Sequence, residues 1–320
     1  MLRSEQDQTM LSTKPEDGAP SARATLTICI CTVDRPDPLR ACLQSIASGE
    51  LRPDQVLVSD DSRSPQATEA VCSAFDFVTY LEGPRRGLCA NRNSVIARAT
   101  STHVSLVDDD AVVGPDFVSR AIDHANNDVG RVIVTGSVLE GGTRLVLPGA
   151  SDFCGHFTYG PRERTWWNRL SGRFETIHLN SNLFPRAAFD VAQFDELIQF
   201  GFEDMDLCSH LLAQGYRIEW DPKMINSHYP PPRTEPASWM RWRNWTRARY
   251  YTSLKRYFLW SRRPHLGLAY LLIAPVKIVL HSAKVGEWAQ ISPTPGDMLI
   301  AIRLFLKFRR QSARTLAPGS

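Results

Sequence analysis

The feature that most constrains this 320-residue chain is an apolar, strand-like segment, residues 103–107, that leads directly into three aspartates, Asp108 to Asp110. Three adjacent carboxylates repel one another, so a positive charge must lie close to them. Mg²⁺ and Mn²⁺ prefer hard oxygen ligands, and Mg²⁺ is commonly held by one or two carboxylates together with substrate phosphates. Open α/β sheets bind ligands at the carboxyl ends of their strands. We therefore expect a cation site at the end of this strand.

Strand-like and helix-like segments alternate around the aspartates. Apolar, β-branched runs predict strands at 26–33, 55–59, 77–81, 104–107 and 131–138, and apolar residues at helical spacing predict helices at 38–48, 65–75 and 87–99. Alternation of this kind indicates βαβ units. The predicted fold class is therefore α/β, with a Rossmann-like, mostly parallel sheet flanked by helices. A further helix is predicted over 202–214, with acidic residues in its first turn.

Charge divides the chain unevenly. Residues 236–320 contain 15 Lys/Arg and 2 Asp/Glu, whereas the first 235 residues contain 22 and 32. We predict a polar, disordered tail over 1–22, an α/β domain over 23–232, and a basic, aromatic helical region over 233–320. Three consecutive prolines, 230–232, mark the last boundary.

Four sequence blocks occur in order along the chain: Thr27–Pro36, Val56–Ser62, the Gly87–Asn93 segment leading to Asp108–Asp110, and Gly201–Leu207. Together they resemble the blocks of family 2 glycosyltransferases, which have the GT-A fold. His228 follows them, as a histidine often does in this family. The resemblance implies that residues 23–232 are a catalytic domain that binds a nucleotide sugar.

The resemblance also implies roles for the donor-binding residues. In the family, the last aspartate of such an Asp-x-Asp (DXD) motif binds the metal, and the first touches the donor sugar or ribose. This assigns Asp110 to Mn²⁺ or Mg²⁺. A lone histidine is more often structural than a metal ligand, but beside a carboxylate-bound Mn²⁺ an imidazole can complete the shell, so we expect His228 as a second ligand. The residues implied to bind the donor or its nucleotide are Thr32, Asp34, Asp60, Asp61, Arg92, Asp108 and Asp109. Either Asp60 or Asp61 is expected to contact the nucleotide base. By itself, such a pair of aspartates is also typical of a turn that has no role in binding.

A catalytic base is implied at the acidic pair of the last block. Acids in a first helical turn commonly just complement the helix dipole, but the family pattern makes Asp204 the base and Glu203 its competitor. The implied reaction is an inverting displacement, in which a nucleotide-diphosphate sugar donates to a hydroxyl of a glycan or lipid-linked acceptor. Asn180 and Asn182 match a region that lines the donor or acceptor pocket.

The C-terminal region suggests a membrane partner. Residues 238–263 interleave basic and aromatic side chains without an acid, a composition that suits nucleic acid or a membrane interface. Alternatively, these helices pack on the catalytic domain with a solvated basic face. Residues 266–280 provide about 15 apolar residues where a spanning helix needs about 20. We expect a cytoplasmic protein, peripheral on the inner face of the cell membrane, that binds anionic lipid and no nucleic acid.

Two other functions compete with this interpretation. A nucleotidyltransferase would require a Gly-rich, basic phosphate loop after the first strand, and residues 32–36 lack one. A dinucleotide oxidoreductase would require G-x-G-x-x-G there. The alternative from a different class is a nucleic-acid-binding protein that uses the basic aromatic region.

Overall fold

The computed structural model of the chain describes residues 23–128, 130–151, 157–159, 174–230, 235–285 and 294–315. The predicted tail over 1–22 lies outside the described residues.

The described residues form a mixed α/β fold. Its strands are β1 (Leu26–Thr32), β2 (Gln55–Asp60), β3 (Val78–Glu82), β4 (His103–Asp108), β5 (Ala111–Val112), β6 (Val132–Glu140), β7 (Arg144–Val146), β8 (Gly149–Ser151), β9 (Phe157–Tyr159), β10 (Asn182–Pro185) and β11 (Arg217–His228). Its helices are α1 (Pro36–Ala47), α2 (Gln66–Cys72), α3 (Leu88–Ile96), α4 (Phe117–Asn126), α5 (Ala188–Val191), α6 (Glu203–Ala213), α7 (Glu235–Lys255), α8 (Pro264–Val285) and α9 (Thr294–Thr315), with a π-helical turn at Arg256–Trp260 after α7.

The main sheet has the strand order β3-β2-β1-β4-β10-β6-β11-β5, and β7 pairs with β6. β1 lies between β2 and β4, parallel to both, so the carboxyl ends of these strands align. Thr32 is opposite Asp60, and Cys31 is opposite Asp108. The predicted α/β class with a mostly parallel sheet is confirmed, and the acidic strand ends lie at one edge of the sheet.

The short strand β10 was not predicted. It runs antiparallel between β4 and β6 and joins the two halves of the sheet. Its four residues are too few to show an alternating pattern. The fully buried Asn182 side chain completes the join, because its amide accepts from the Leu106 N–H at 2.9 Å and donates to the Leu106 carbonyl at 2.8 Å.

The C-terminal helices share a hydrophobic core with the sheet. One cluster contains Cys29 and Leu106 from the strands and also Tyr250, Tyr270 and Phe305 from the C-terminal helices. Many aromatic residues of the basic region therefore face inward. None of the described helices has the length and apolar character needed to cross a membrane.

Several basic residues of this region also face inward. Asp297 of α9, which is fully buried, accepts from Arg243 and Arg247 of α7 at 2.9 and 2.7 Å. Lys255, at the end of α7, is buried between Asp195 and Asp206, with Nζ–Oδ2 distances of 2.7 and 2.5 Å. The Lys255 pair with Asp206 fixes α7 against α6.

Replacing the buried lysine tests this anchor. Lys255→Met leaves two buried carboxylates without their cation, so we expect the free energy of unfolding to fall by about 3–5 kcal/mol. Urea denaturation monitored by circular dichroism measures the loss. Arg217→Met is the control, because its pair with Glu219 is exposed and should contribute under about 1 kcal/mol. Equal losses in the two variants would refute the anchoring role.

Candidate active site

The middle aspartate of the triplet is held by residues from the end of β1 and the turn after it. Thr32 Oγ1 donates to Asp109 Oδ2 at 2.7 Å, and Arg35 Nη1 donates to Asp109 Oδ1 at 2.7 Å. Burial raises the pKa of the Asp109 carboxyl to about 7, in spite of the Thr32 hydrogen bond and the Arg35 charge. Arg35 is a site residue that the sequence analysis missed, although it follows the first predicted strand at the same sheet edge.

The last aspartate contacts two cationic side chains. Arg35 Nη2 donates to Asp110 Oδ2 at 2.7 Å, and His228 Nε2 lies 3.1 Å from Asp110 Oδ1. Burial opposes the charge of Asp110, but these hydrogen bonds outweigh it and lower the pKa of the carboxyl. The other His228 nitrogen, Nδ1, lies 3.0 Å from Glu140 Oε1 at the end of β6. Burial disfavours the imidazolium, yet both carboxylates together raise the pKa of His228 to about 9.

Asp108, Asp110 and His228 could hold a metal ion. Each offers a ligand atom within 4.8 Å of the others. Two carboxylates and an imidazole suit Mn²⁺, whereas Mg²⁺ prefers oxygen ligands alone. Glu140 accepts the second imidazole N–H, as a carboxylate commonly does behind a metal-binding histidine. Glu140 was also missed, because the predicted strand 131–138 ended two residues too early.

The first aspartate is linked to the acidic helix by a buried arginine. Arg92 Nη2 donates to Asp108 Oδ1 at 3.0 Å, and Arg92 Nη1 donates to Glu203 Oε1 at 2.9 Å. Burial disfavours the Arg92 charge, but the two carboxylates raise the pKa of the guanidinium above its usual value. Asn180 holds Asp108 from the other side, accepting from its N–H at 2.7 Å and donating to Oδ2 at 3.1 Å.

A strained turn directs the acidic pair into the site. Gly201 and Phe202 have φ angles of +80° and +64°, and Phe202 packs on Trp245 with ring centroids 4.8 Å apart. A left-handed conformation costs a residue other than glycine about 1–2 kcal/mol. The turn brings Glu203 and Asp204 into the first turn of α6. Glu203 Oε2 is buried and has no hydrogen-bond partner among the described residues.

Asp204 has the environment of a proton acceptor. The residue as a whole is partly exposed, and its Oδ2 accepts from Thr176 Oγ1 at 3.2 Å. Burial and the neighbouring Glu203 charge raise the pKa of Asp204 to about 7. Thr176 was not found from the sequence, because it follows a segment with no regular pattern.

The two aspartates at the end of β2 differ in their surroundings. Asp60 is fully buried, and its carboxylate accepts from the N–H and hydroxyl of Ser62 and from the Tyr80 hydroxyl at 3.3 Å. Asp61 is partly exposed, and its Oδ1 accepts from the Arg85 N–H at 2.8 Å. Asp34 is exposed, and its N–H donates to Ser62 Oγ at 2.7 Å. These contacts join the turns after β1 and β2.

The structure thus brings most of the expected residues to one sheet edge. The group comprises Thr32, Asp34, Asp61, Arg92, Asp108, Asp109, Asp110, Asn180, Glu203, Asp204 and His228. Asp60 and Asn182 lie next to this group, but their side chains are buried against Ser62 and against the main chain of β4.

Three solved structures of glycosyltransferases have similar folds. They are the mannosyltransferase PcManGT from Pyrobaculum calidifontis in complex with GDP-Man and Mn²⁺ (17% identity, TM-score 0.54, 92% of this chain and 91% of that one), GalNAc-T7 with UDP, GalNAc and Mn²⁺ (14%, 0.56, 72% and 48%), and residues 1–349 of S. aureus TarS (15%, 0.53, 87% and 80%). At these identities the likeness concerns the fold, which is of the GT-A type expected from the sequence.

The sequence comparisons agree with the fold. The uncharacterized protein y4gI of Sinorhizobium fredii is 26% identical over 230 residues, which are 65% of this chain and 24% of y4gI. The chain therefore spans about a quarter of the length of that curated relative. Residues 27–194 match the model described as Glycosyl transferase family 2. Because this match covers more than half of the chain, the protein belongs to glycosyl transferase family 2.

Proposed function

We propose that this protein is a metal-dependent, inverting glycosyltransferase that moves a sugar from a nucleotide-diphosphate donor to a hydroxyl group. The observation that carries the proposal is the Arg92 bridge. It joins Asp108, one member of the metal-binding set, to Glu203, the neighbour of the proposed base. A donor site and a proton acceptor therefore lie on two sides of one buried guanidinium. We assign these functions to residues 23–232.

The donor is proposed from the chemistry of the sheet edge. The similar proteins PcManGT and GalNAc-T7 were solved with GDP-Man and with UDP, each with Mn²⁺. In this chain, Asp61 is partly exposed and accepts from one main-chain N–H, that of Arg85, whereas the buried Asp60 carboxylate accepts from Ser62 and Tyr80. Asp61 is therefore better placed to accept from an N–H of the nucleotide base beside Thr32 and Asp34. We therefore propose Asp61 at the base and Asp108 at the donor sugar or ribose.

Asp110, Asp108 and His228 would hold the metal, with Mn²⁺ favoured over Mg²⁺ by the imidazole. When bound, the ion would stabilise negative charge on the departing nucleoside diphosphate. Glu140 keeps the His228 ring oriented, and Asn180 keeps the Asp108 carboxylate oriented. Arg35 is the cationic side chain of this group that can turn toward a diphosphate, because its guanidinium is partly exposed, whereas that of Arg92 is buried.

Asp204 is proposed as the general base. Its pKa of about 7 suits an acid–base group near neutral pH. In the reaction, the Asp204 carboxylate accepts the proton of the acceptor hydroxyl while that oxygen forms the bond to the anomeric carbon and the nucleoside diphosphate leaves. Glu203 is paired with Arg92, so we propose that it positions Asp204 and does not itself accept the proton.

The acceptor is proposed to be a glycan or lipid-linked sugar at the cytoplasmic face of the membrane, with residues 233–320 as the membrane-associated region. The support for this location is the outward face of α8, described below. A basic surface and an apolar face together suit lipid better than nucleic acid.

The metal site is tested by removing one ligand charge. Asp110→Asn should weaken Mn²⁺ binding by at least about 100-fold, since even the loss of an outer-shell partner costs about 10- to 100-fold. Electron paramagnetic resonance of free Mn²⁺ measures metal binding. A thermal-shift screen of nucleotide sugars identifies the donor, and the release of nucleotide from that donor measures sugar transfer. Asp76→Asn, an exposed aspartate outside the site, is the control. Unchanged Mn²⁺ binding and transfer in Asp110→Asn would exclude the site.

The base is tested by separating turnover from donor binding. Asp204→Asn should lower kcat by about 10²- to 10⁴-fold and leave the thermal shift caused by the donor intact. In the wild type, protonation of Asp204 should reduce kcat/KM as the pH falls below about 7. Glu203→Gln should weaken donor binding and lower the Tm, because Arg92 loses an ionic partner. If Glu203→Gln instead abolished turnover with donor binding intact, Glu203 would be the base.

Replacing Arg35 should change the affinities for two ligands in opposite directions. Its guanidinium occupies oxygens of Asp109 and Asp110, so Arg35→Gln should bind Mn²⁺ alone about tenfold more tightly, the equivalent of about one charge-assisted hydrogen bond. The same variant should bind a nucleoside diphosphate in the presence of Mn²⁺ more weakly. Isothermal titration calorimetry measures both, with Arg35→Lys as the control that keeps the charge. A loss of affinity for both ligands would contradict this role.

A further inference from the structure

Helix α8 has two contrasting faces. Tyr270, Ala274 and Ile278 are buried in the core cluster that the C-terminal helices share with the sheet. On the opposite side, the exposed residues are apolar: Leu268, Leu272, Ile273, Val276, Val279 and Leu280. At 3.6 residues per turn, these six side chains lie within an arc of about 140°. We call these six residues the α8 face. Leu272 is 76% exposed and Leu280 is 63% exposed.

Continuity distinguishes the α8 face from ordinary surface. Single exposed apolar residues are normal on a soluble protein, whereas contiguous apolar patches mark sites of interaction. The buried side of the helix is anchored by Tyr270, whose ring packs edge-on against Tyr250 with centroids 5.9 Å apart. The α8 face is therefore displayed by a helix whose other side is fixed to the core.

The charged residues of α8 and of the chain just before it are all basic, and the next helix, α9, also exposes basic residues. Residues 262–285 contain Arg262, Arg263, Lys277 and Lys284 and no acidic residue. On α9, Arg303, Lys307 and Arg310 line a cavity of about 420 Å³ together with Leu306 and Gln311. The acidic residue of α9, Asp297, is buried. Both helices thus combine exposed apolar groups with cationic ones.

We propose that the α8 face inserts into the interface of an anionic lipid bilayer, with the neighbouring basic side chains on the lipid phosphates. A second copy of the chain would bring these basic residues against their own equivalents, which repel. A nucleic acid would match the charge but offers no apolar phase for six aliphatic side chains. The proposal deepens the membrane location proposed above. It does not depend on the catalytic assignment, because lipid binding can be measured without transfer.

Vesicle flotation of the full chain tests this surface. The wild type should float with vesicles of phosphatidylcholine and phosphatidylglycerol, and much less with phosphatidylcholine alone. Leu272→Asp/Leu280→Asp should lower partitioning by about 100-fold, roughly tenfold for each leucine lost from the apolar phase. Leu145→Asp, at an exposed leucine of β7, is the matched control and should float like the wild type. Lys277→Gln/Lys284→Gln should weaken binding to the anionic vesicles only.

If the protein binds a nucleotide sugar as proposed, a thermal shift caused by that donor shows that each variant is folded. If it does not, circular dichroism shows it instead. The proposal is overturned if the wild type does not float, or if the double aspartate variant floats like the wild type. It is also overturned if the wild type is a dimer that the variant breaks, with vesicle binding unaffected. Binding of a single-stranded oligonucleotide in place of vesicles would assign the surface to nucleic acid and would likewise refute the proposal.

Discussion

The candidate site depends on one buried ion-pair bridge, in which Arg92 links Asp108 at the end of β4 to Glu203 at the start of α6. Arg92 and Glu203 are buried and Asp108 is partly exposed, and the two carboxylates compensate the charge of the buried guanidinium. Removing one member of such a group leaves an uncompensated charge, typically at a cost of about 3–5 kcal/mol. The bridge therefore sets the spacing across the cleft. Asp204 follows Glu203 directly, so its position relative to the Asp108 carboxylate is fixed by the same guanidinium.

The three consecutive aspartates require counter-charge, and the protein supplies it from three separate elements. Arg92 of α3 faces Asp108, Arg35 faces Asp109 and Asp110, and His228 at the end of β11 faces Asp110. A divalent ion at this site must compete with the protein's own cations. Arg92 is buried and has two partners, whereas Arg35 is partly exposed. A bound ion can therefore displace Arg35 from the aspartates more easily than Arg92. Arg35 also lies beside the turn that is proposed to bind the nucleotide base.

The sequence predicted the parallel half of the sheet well, because buried strands that end in acidic residues produce a strong local pattern. It missed α4, although Phe117, Ala121 and Ala125 repeat at helical spacing and are buried. Ion pairs between residues far apart in the chain could not be predicted from local sequence patterns. The resemblance implied that Arg92 binds the donor or its nucleotide, and only the fold shows that its guanidinium pairs with the carboxylates of Asp108 and Glu203. Asp60 and Asp61 were equivalent in sequence, but Asp60 is the last residue of β2 and is buried against Ser62, whereas Asp61 lies in the turn after the strand and is partly exposed.

Composition alone was a poor guide to which C-terminal side chains reach the surface. Many of the aromatic and basic residues of α7 are turned inward, where Arg243 and Arg247 neutralise Asp297 and Lys255 neutralises Asp206. The outward-facing side of α8, in contrast, is mostly aliphatic. This arrangement has a mechanical consequence for α6, because Glu203 is held by Arg92 and Asp206 by Lys255. Helix α6, which carries Asp204, is thereby attached to Asp108 through Arg92 and to the C-terminal helices through Lys255. The proposed insertion of α8 into a bilayer would therefore also orient α6, which carries the proposed base Asp204.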